Sequence, residues 1–231
     1  MAMKRESFST LVFDCDDTLW KLDSDKSMRL VAQHLKVPQE KEHEFIHVFR
    51  ESLYAVISML SHQKVTKSIV IDDLNALVGS YLHSVGTDVY RAYDAICIPE
   101  FSYSEPYPET INVLRYLKAK GYKMVAKSNW FAHVQVKRLK QFGFLDYFEL
   151  VSGPIDDYFK PNPQCMRKII GTSDPSHFVI IGDSLSSDVQ LANNVGIKSI
   201  WINHSGEEKV FEKNNKPSYE INAIEEIVGI L

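Results

Sequence analysis

Short apolar runs rich in β-branched residues recur along the chain, and polar residues or Gly follow each of them. These runs predict five strands, at residues 10–13, 122–126, 148–151, 178–181 and 198–202. Stretches with helical spacing of apolar residues lie between them. Strands that alternate with helices are typical of parallel βα units, so the pattern predicts an α/β fold with a parallel sheet.

The first two predicted strands are separated by about a hundred residues, whereas one helical crossover needs only a dozen or more. Within this interval, apolar residues recur at helical spacing on two faces. The first face is formed by Phe45, Val48, Leu53, Val56, Ile57 and Leu60, and the second by Leu74, Leu77, Val78 and Tyr81. We therefore predict an all-helical subdomain at residues 22–99, inserted into a core formed by residues 1–21 and 100–231.

Chain length and composition predict one folded domain with an insertion. A chain of 231 residues is long enough for one buried core with an insertion but short for two independent domains. Its 45% hydrophobic residues, 24% charged residues and formal net charge of -4 disfavour both disorder and binding of a nucleic-acid polymer.

Cysteine usage and the N-terminus bear on location. The three cysteines, Cys15, Cys97 and Cys165, are scattered and form no CxxC pair, which argues against a disulfide framework and favours a reducing compartment. Polar residues follow Lys4 and Arg5, so no signal-peptide core is expected, and no apolar run is long enough to span a membrane. Met1 and Ala2 precede Met3 and carry no structural prediction. We expect a cytoplasmic protein without membrane contact.

Two acidic residues, Asp14 and Asp16, directly follow the first predicted strand. Residues two apart in an extended chain point the same way, so both carboxylates can face one site. Like charges in one site repel unless a cation or a shared proton relieves them, and a hard divalent ion is the natural relief. Taken alone, the pair is equally typical of an Asp-rich turn.

Polar residues also stand near the ends of later predicted strands, where parallel sheets bind ligands. These residues are Ser128 and Asn129, Lys160, and Asp183 and Asp188. Each has an ordinary alternative as a turn residue or a solvated charge. Gly182, at the last of these turns, permits close approach of the backbone to a ligand or side chain.

Together and in this order, the motifs resemble those of the haloacid dehalogenase superfamily, over residues 11–203. Its four motifs are matched by Asp14, Asp16 and Thr18, by Ser128, by Lys160, and by Gly182, Asp183 and Asp188. The resemblance implies a three-layer Rossmann-like core, with the insertion as a helical cap of the C1 type. It also implies a phosphatase of a small phosphorylated metabolite, such as a nucleoside monophosphate, a sugar phosphate or a phosphoglycolate-like acid.

The resemblance assigns the chemical steps to the two acids. Asp14 would attack phosphorus and form an aspartyl phosphate, which splits hydrolysis into two easier steps. Asp16 would protonate the leaving oxygen and then deprotonate the attacking water. The Asp14 carboxylate, the backbone carbonyl of Asp16 and the Asp183 carboxylate would hold Mg²⁺.

Other motif residues would bind the phosphoryl group. Ser128 and Lys160 would neutralise its charge during transfer, and Thr18 and Asn129 would also contact the phosphate or substrate. Asp188 would orient Lys160 or a metal-bound water.

Alternatives within the superfamily differ at the second acid. Dehalogenases and phosphonate-cleaving members lack an acid at the position of Asp16, so both disagree with this sequence. A phosphomutase keeps both acids and stays open. Trp130 stands where many relatives have Gly after motif two, and it either stacks on substrate or packs under the loop. Trp20 and Lys21 lie where the resemblance places a cap hinge.

Two alternatives come from other classes. His43, Glu44 and His47 match the H-E-x-x-H zinc-protease pattern, but Arg50 replaces the Gly of the longer metzincin motif and no third ligand is evident. A catalytically silent binding module is the other, although every motif residue is present. Lys64 and Lys67, predicted in a loop between cap helices, could reach an anionic substrate end. The sequence gives no indication of oligomeric state.

Overall fold

The computed structural model describes residues 8–212 and 214–231. The predictions for the N-terminus concern Met1, Ala2, Met3, Lys4 and Arg5, which lie outside the described residues. The strands are β1 Thr10–Phe13, β2 Trp20–Leu22, β3 Ser104–Pro106, β4 Lys123–Lys127, β5 Leu150–Ser152, β6 Phe178–Gly182, β7 Lys198–Ile202 and β8 Tyr219–Ile221. The α-helices are α1 Ser24–His34, α2 Glu42–Leu60, α3 Lys67–Ser84, α4 Val89–Ile96, α5 Thr110–Ala119, α6 Ala132–Gln141, α7 Arg167–Ile170 and α8 Gln190–Val195.

Six strands form a parallel sheet in the order β5-β4-β1-β6-β7-β8. Successive side chains of a strand point to opposite faces, so Leu11 and Phe13 of β1 enter one hydrophobic core and Val12 enters another. Leu114 of α5 packs in the first core and Leu191 of α8 in the second. Helices therefore cover both faces of the sheet, and the predicted three-layer α/β core is confirmed.

The predicted strands are all present. β1 and β7 have the predicted bounds, and β4, β5 and β6 differ from them by one or two residues. The apolar pattern does not predict β8, because Ile221 is its only buried residue and three residues are too few to show alternation.

Helices α1 to α4 form the predicted helical insertion, with a hydrophobic core of their own. Side chains of Asp23, Thr66 and Asp88 accept backbone N–H groups at the starts of α1, α3 and α4, which fixes where these helices begin. Leu77, which belongs to the second of the two apolar faces, is nevertheless 48% exposed. Among the residues described, no helix combines the length and apolarity needed to cross a bilayer.

The chain enters and leaves the helical insertion through one antiparallel ribbon, formed by β2 and β3. Trp20 pairs with Pro106, and Leu22 pairs with Ser104. The predicted hinge at Trp20 and Lys21 therefore lies beside the strand through which the chain returns to the core. The predicted boundaries at residues 22 and 99 fall close to this ribbon and stay a prediction.

A second attachment joins the insertion to the core on another side. Val65, in the connection between α2 and α3, forms a β-bridge with Ile155, and its N–H donates to the carbonyl oxygen of Asp157 over 2.8 Å. The side-chain amide of Asn162 donates to the carbonyl oxygen of Ser61 over 3.0 Å. These contacts dock the insertion on the core segment that leads to Lys160.

A buried lysine organises that core segment. Lys127, at the end of β4, is 1% exposed, and its ammonium group donates to the Asp157 carboxylate over 3.3 Å. It also donates to the carbonyl oxygens of Gly153 and Tyr158 over 3.2 and 3.4 Å. One cation thus binds several oxygen atoms of the loop, including a carboxylate oxygen of the buried Asp157.

We predict that Lys127→Met lowers the free energy of unfolding by about 3–5 kcal/mol, because it leaves the Asp157 carboxylate buried without its cation. Lys123→Met is the matched control, since Lys123 begins the same strand but is exposed, and it should change stability by less than about 0.5 kcal/mol. Urea denaturation of both variants measures the difference. Equal stability of the two variants would contradict this role for Lys127.

Candidate active site

Adjacent strands bring the first acids together. The register of β1 with β6 places Phe13 beside Ile181, and the N–H of Asp14 donates to the carbonyl oxygen of Ile181 over 2.8 Å. Asp14 and Asp183 therefore emerge at neighbouring strand ends, on the edge where parallel sheets bind ligands. One carboxylate oxygen from each of Asp14, Asp183 and Asp188 lies within 4.8 Å of the others.

Gly182 allows the third acid to reach this edge. A Cβ atom at Gly182 would overlap the carboxylate of Asp188, so only glycine fits beneath it. The turn Leu185–Val189 carries Asp188 back toward the sheet, where its carboxylate accepts the N–H of Ser184 over 3.2 Å. Asp188 is 1% exposed.

Lys160 is the cation of this acidic cluster. Its ammonium group donates to Asp14 over 2.6 Å and to Asp188 over 2.7 Å. Burial by itself lowers the pKa of Lys160, but the carboxylates of Asp14 and Asp188 outweigh it and raise the pKa above its ordinary value. Lys160 is therefore held as an ammonium ion between two acids.

Asn129 fixes the backbone that carries this lysine. Its side-chain oxygen accepts the N–H of Lys160 over 2.7 Å, and its side-chain nitrogen donates to the carbonyl oxygen of Lys160 over 3.0 Å. Both ends of the amide are thus engaged, so the structure gives Asn129 a role in holding Lys160. The predicted contact between Asn129 and substrate stays a prediction.

The cluster carries more negative than positive charge. Burial, together with the charges of Asp188 and Asp183, raises the pKa of Asp14 despite the nearby Lys160. Burial, and after it the charges of Asp188 and Asp17, raises the pKa of Asp183 from 3.8 to about 7. Three carboxylates share one ammonium group, and hard oxygen donors this close together fit a divalent cation such as Mg²⁺.

The second acid of the motif, Asp16, lies in a separate network. One carboxylate oxygen accepts the indole N–H of Trp20 over 2.9 Å and a guanidinium N–H of Arg138 over 2.6 Å. The other accepts the side-chain N–H of Gln135 over 2.7 Å. The sequence does not reveal Gln135 and Arg138, because polar residues three apart on a helix are typical of a solvent-facing surface.

Ser128, which directly follows β4, belongs to the same network as Asp16. Its oxygen accepts the N–H of Trp130 over 3.0 Å and the side-chain N–H of Gln135 over 2.8 Å. Because the oxygen accepts both bonds, the hydroxyl hydrogen stays available to donate to a ligand. The buried hydroxyl of Thr18 donates to Asp183 over 3.3 Å and supports that carboxylate, while its predicted contact with phosphate stays a prediction.

A cavity of about 200 Å³ separates the sheet edge from the helical insertion. Asp14, Asp16, Ser128 and Lys160 line it from the core. The opposite wall is mostly apolar and is formed by Leu22, Met28, Val31, Leu53, Tyr54, Ile57, Ile96 and Phe101, with Arg50 as its cation.

Comparison with known proteins gives the family. The sequence profile of the haloacid dehalogenase-like hydrolases matches residues 8–196, which is most of the chain. This chain belongs to that family. The prediction made from the four motifs is confirmed at this level, and the protein is a hydrolase.

Individual relatives align with most of the hydrolase or with about half of it. It is 24% identical to the glyceraldehyde 3-phosphate phosphatase of Methanopyrus kandleri, over 96% of each chain. It is 30% identical to the pyrimidine 5'-nucleotidase PynA of Streptococcus pneumoniae, over 52% of each chain. The magnesium-bound crystal structure of the HAD-hydrolase YfnB from Bacillus subtilis superposes with a TM-score of 0.72, at 22% identity, over 97% of this chain and 98% of that one. At this identity the superposition shows the fold alone.

The remaining predictions for this haloacid dehalogenase-like hydrolase concern Trp130 and two lysines of the helical insertion. Trp130 lines the cavity and also packs edge-on against Phe131, with ring centroids 5.0 Å apart, so stacking on substrate and packing under the loop both stay predictions. Lys67 begins α3 instead of lying in a loop, and its ammonium group pairs with Asp94 over 3.2 Å. Lys64 lies in the exposed turn before α3.

The zinc-protease pattern is not part of a metal site among the described residues. His43, Glu44 and His47 are exposed on the outer side of α2. The Glu44 carboxylate forms an ion pair with the Lys41 ammonium group over 2.9 Å. Within residues 8–212 and 214–231, one group of three or more side chains is placed to share a metal ion, and it consists of Asp14, Asp183 and Asp188.

We predict a pH dependence of stability from Asp183 in hydrolase freed of divalent ions with EDTA. Its pKa rises on folding from 3.8 to about 7, so its stabilising contribution is complete below pH 3.8 and is lost as the pH rises through about 7. Asp183→Asn cannot ionise and should become more stable than wild type across this window, by on the order of 1–3 kcal/mol. Thermal unfolding of both proteins at several pH values measures it, and a constant difference would contradict the assignment.

Proposed function

We propose that this hydrolase removes the phosphoryl group from a small phosphorylated metabolite through an aspartyl phosphate on Asp14. The observation that carries the proposal is the contact of the Lys160 ammonium with both Asp14 and Asp188, beside a third acid, Asp183, while Asp14 and Lys160 line the cavity. A buried carboxylate paired with a cation, and facing a cavity, is placed as a nucleophile toward an anionic substrate.

In the first step, an oxygen of Asp14 attacks phosphorus while the bond to the leaving oxygen breaks. The developing charge on the phosphoryl oxygens needs fixed positive groups and donors, and the Lys160 ammonium and the Ser128 hydroxyl supply them. The Asp14 and Asp183 carboxylates and the Asp16 backbone carbonyl would hold Mg²⁺, which would supply further positive charge to the site. Asp188 keeps Lys160 in place through the contact of 2.7 Å.

Asp16 serves both halves of the reaction. It gives its proton to the leaving oxygen in the first step, and its carboxylate then takes a proton from the water that hydrolyses the aspartyl phosphate. Asp16 lines the cavity, where a leaving group would lie. This second acid distinguishes a phosphatase from a dehalogenase, since departure of a halide needs no proton donor.

The cavity suggests what the substrate is like. Its volume of about 200 Å³ suits a small metabolite and not a nucleic-acid polymer. Glyceraldehyde 3-phosphate phosphatase and pyrimidine 5'-nucleotidase among the relatives support hydrolysis over phosphoryl transfer within a sugar, so a phosphomutase is the less favoured alternative. Nucleoside monophosphates, sugar phosphates and phosphoglycolate-like acids are the classes to assay. Residues 22–99 act as the cap that covers the substrate.

The test is hydrolysis of p-nitrophenyl phosphate and of a panel of phosphorylated metabolites, followed by phosphate release. We expect activity with Mg²⁺, loss of activity in EDTA, and recovery with Mg²⁺ but not with zinc. Asp14→Asn should lower turnover by at least roughly a thousandfold, because the amide is a poor nucleophile.

The double variant His43→Ala, His47→Ala is the matched control, since both residues lie outside the cavity. It should keep wild-type activity. Full activity in EDTA would contradict the metal site, activity of Asp14→Asn would contradict the nucleophile, and release of halide from 2-chloropropionate without phosphatase activity would show a dehalogenase.

A further inference from the structure

The carboxylate of Asp16 is held by donors from two different parts of the fold. Trp20 belongs to β2 of the ribbon that leads into the cap, and its indole N–H reaches Asp16 over 2.9 Å. Gln135 and Arg138 belong to α6 of the core and reach Asp16 over 2.7 and 2.6 Å. The Oδ2 atom accepts only the Gln135 bond among the described residues, so it has a lone pair left for a proton.

Arg138 also contacts both strands of the ribbon. Its Nε–H donates to the hydroxyl oxygen of Ser104 in β3 over 3.1 Å. Its guanidinium carbon lies 4.6 Å from the centroid of the Trp20 ring in β2. The same side chain therefore joins Asp16 to the entry strand and to the exit strand of the cap.

The burial of the Arg138 guanidinium indicates a role for its charge and hydrogen bonds in addition to packing. Arg138 is 2% exposed, and burying a guanidinium ion is costly unless its hydrogen bonds are complete. Among residues 8–212 and 214–231, its Nη2 atom has no acceptor, although the side chain lines the cavity. An apolar residue of similar size would pack here without that cost, so the arginine adds its hydrogen bonds to Asp16, Ser104 and Gln135, of which the bond to Asp16 is the shortest.

We propose that Arg138 is a positioning residue for the acid–base step, which fixes the orientation of the Asp16 carboxylate and ties it to the ribbon of the cap. Gln135 completes the arrangement, because it bonds both Asp16 and Ser128 and so relates the acid to the phosphoryl-binding hydroxyl. This inference rests on the proposed function, in which Asp16 protonates the leaving oxygen.

A positioning arginine affects substrates with good and poor leaving groups differently, whereas a purely structural arginine would not. A proton donor matters most for a poor leaving group, while p-nitrophenolate departs with little protonation. Loss of Arg138 should therefore lower kcat/KM for an alkyl ester such as benzyl phosphate more than for p-nitrophenyl phosphate. Asp16→Asn, which removes the donor itself, sets the upper limit of this selectivity.

The experiment measures kcat/KM for both esters in wild type and variants with Mg²⁺ present. We expect Arg138→Met to raise the preference for p-nitrophenyl phosphate by roughly tenfold or more, toward the larger value of Asp16→Asn. Arg138→Lys keeps the charge but not the forked donors, so it should lie between wild type and Arg138→Met. Arg115→Met, on the exposed face of α5, is the matched control and should leave the preference unchanged.

Thermal unfolding of each variant separates folding from positioning. If Arg138→Met does not fold, Arg138→Lys and Ser104→Ala decide, since Ser104→Ala removes only the tie to β3 and should shift the preference in the same direction by a smaller factor. Equal losses on both esters in the folded variants would overturn the role of Arg138 and leave the phosphatase intact. If wild type hydrolyses neither ester, the proposed function fails and the role of Arg138 fails with it.

Discussion

The ion pair of Lys160 with Asp14 and Asp188 is the interaction on which the site depends. Desolvation and mutual repulsion oppose three carboxylates in one place, those of Asp14 and Asp188 buried and that of Asp183 half-buried, and the ammonium group relieves only part of this charge. Elements distant in sequence bring the acids and the lysine together, because β1, β6 and the loop held by Asn129 converge at one sheet edge. The excess of negative charge destabilises the cluster in the absence of a ligand. The same excess favours binding of a divalent cation, with a phosphoryl group beside it.

The helical insertion is attached to this site at two places that differ in character. The ribbon of β2 and β3 joins it covalently to the core and lies against Asp16 through Trp20. The contact of Val65 with Ile155 docks it on the loop that Lys127 organises and that leads to Lys160. Both attachments thus end beside residues proposed to act on the substrate, which relates the position of the cap to the geometry of the acid and of the cation.

The sequence predicted most of the core because buried parallel strands have a strong local signal, as the bounds of β1 and β7 illustrate. It also placed the motif acids at the correct strand ends. It could not predict that Thr18 and Asn129 would turn to Asp183 and Lys160, because side-chain partners depend on tertiary packing. Arg138 was beyond prediction for the same reason, since a cation on a short helix is ordinarily solvated. Leu77 illustrates the opposite case, an apolar residue left exposed.

The central claim is that turnover passes through a phosphoryl group on Asp14, and rapid acid quenching of the enzyme during turnover tests it most directly. Wild type mixed with Mg²⁺ and p-nitrophenyl phosphate would be quenched on the millisecond scale, digested and analysed by peptide mass spectrometry. The account predicts an acid-stable, hydroxylamine-sensitive phosphoryl group on the peptide that contains Asp14, formed and lost at rates compatible with turnover and absent from Asp14→Asn. Turnover at full rate with no phosphorylated peptide, or with the phosphoryl group on another residue, would contradict it.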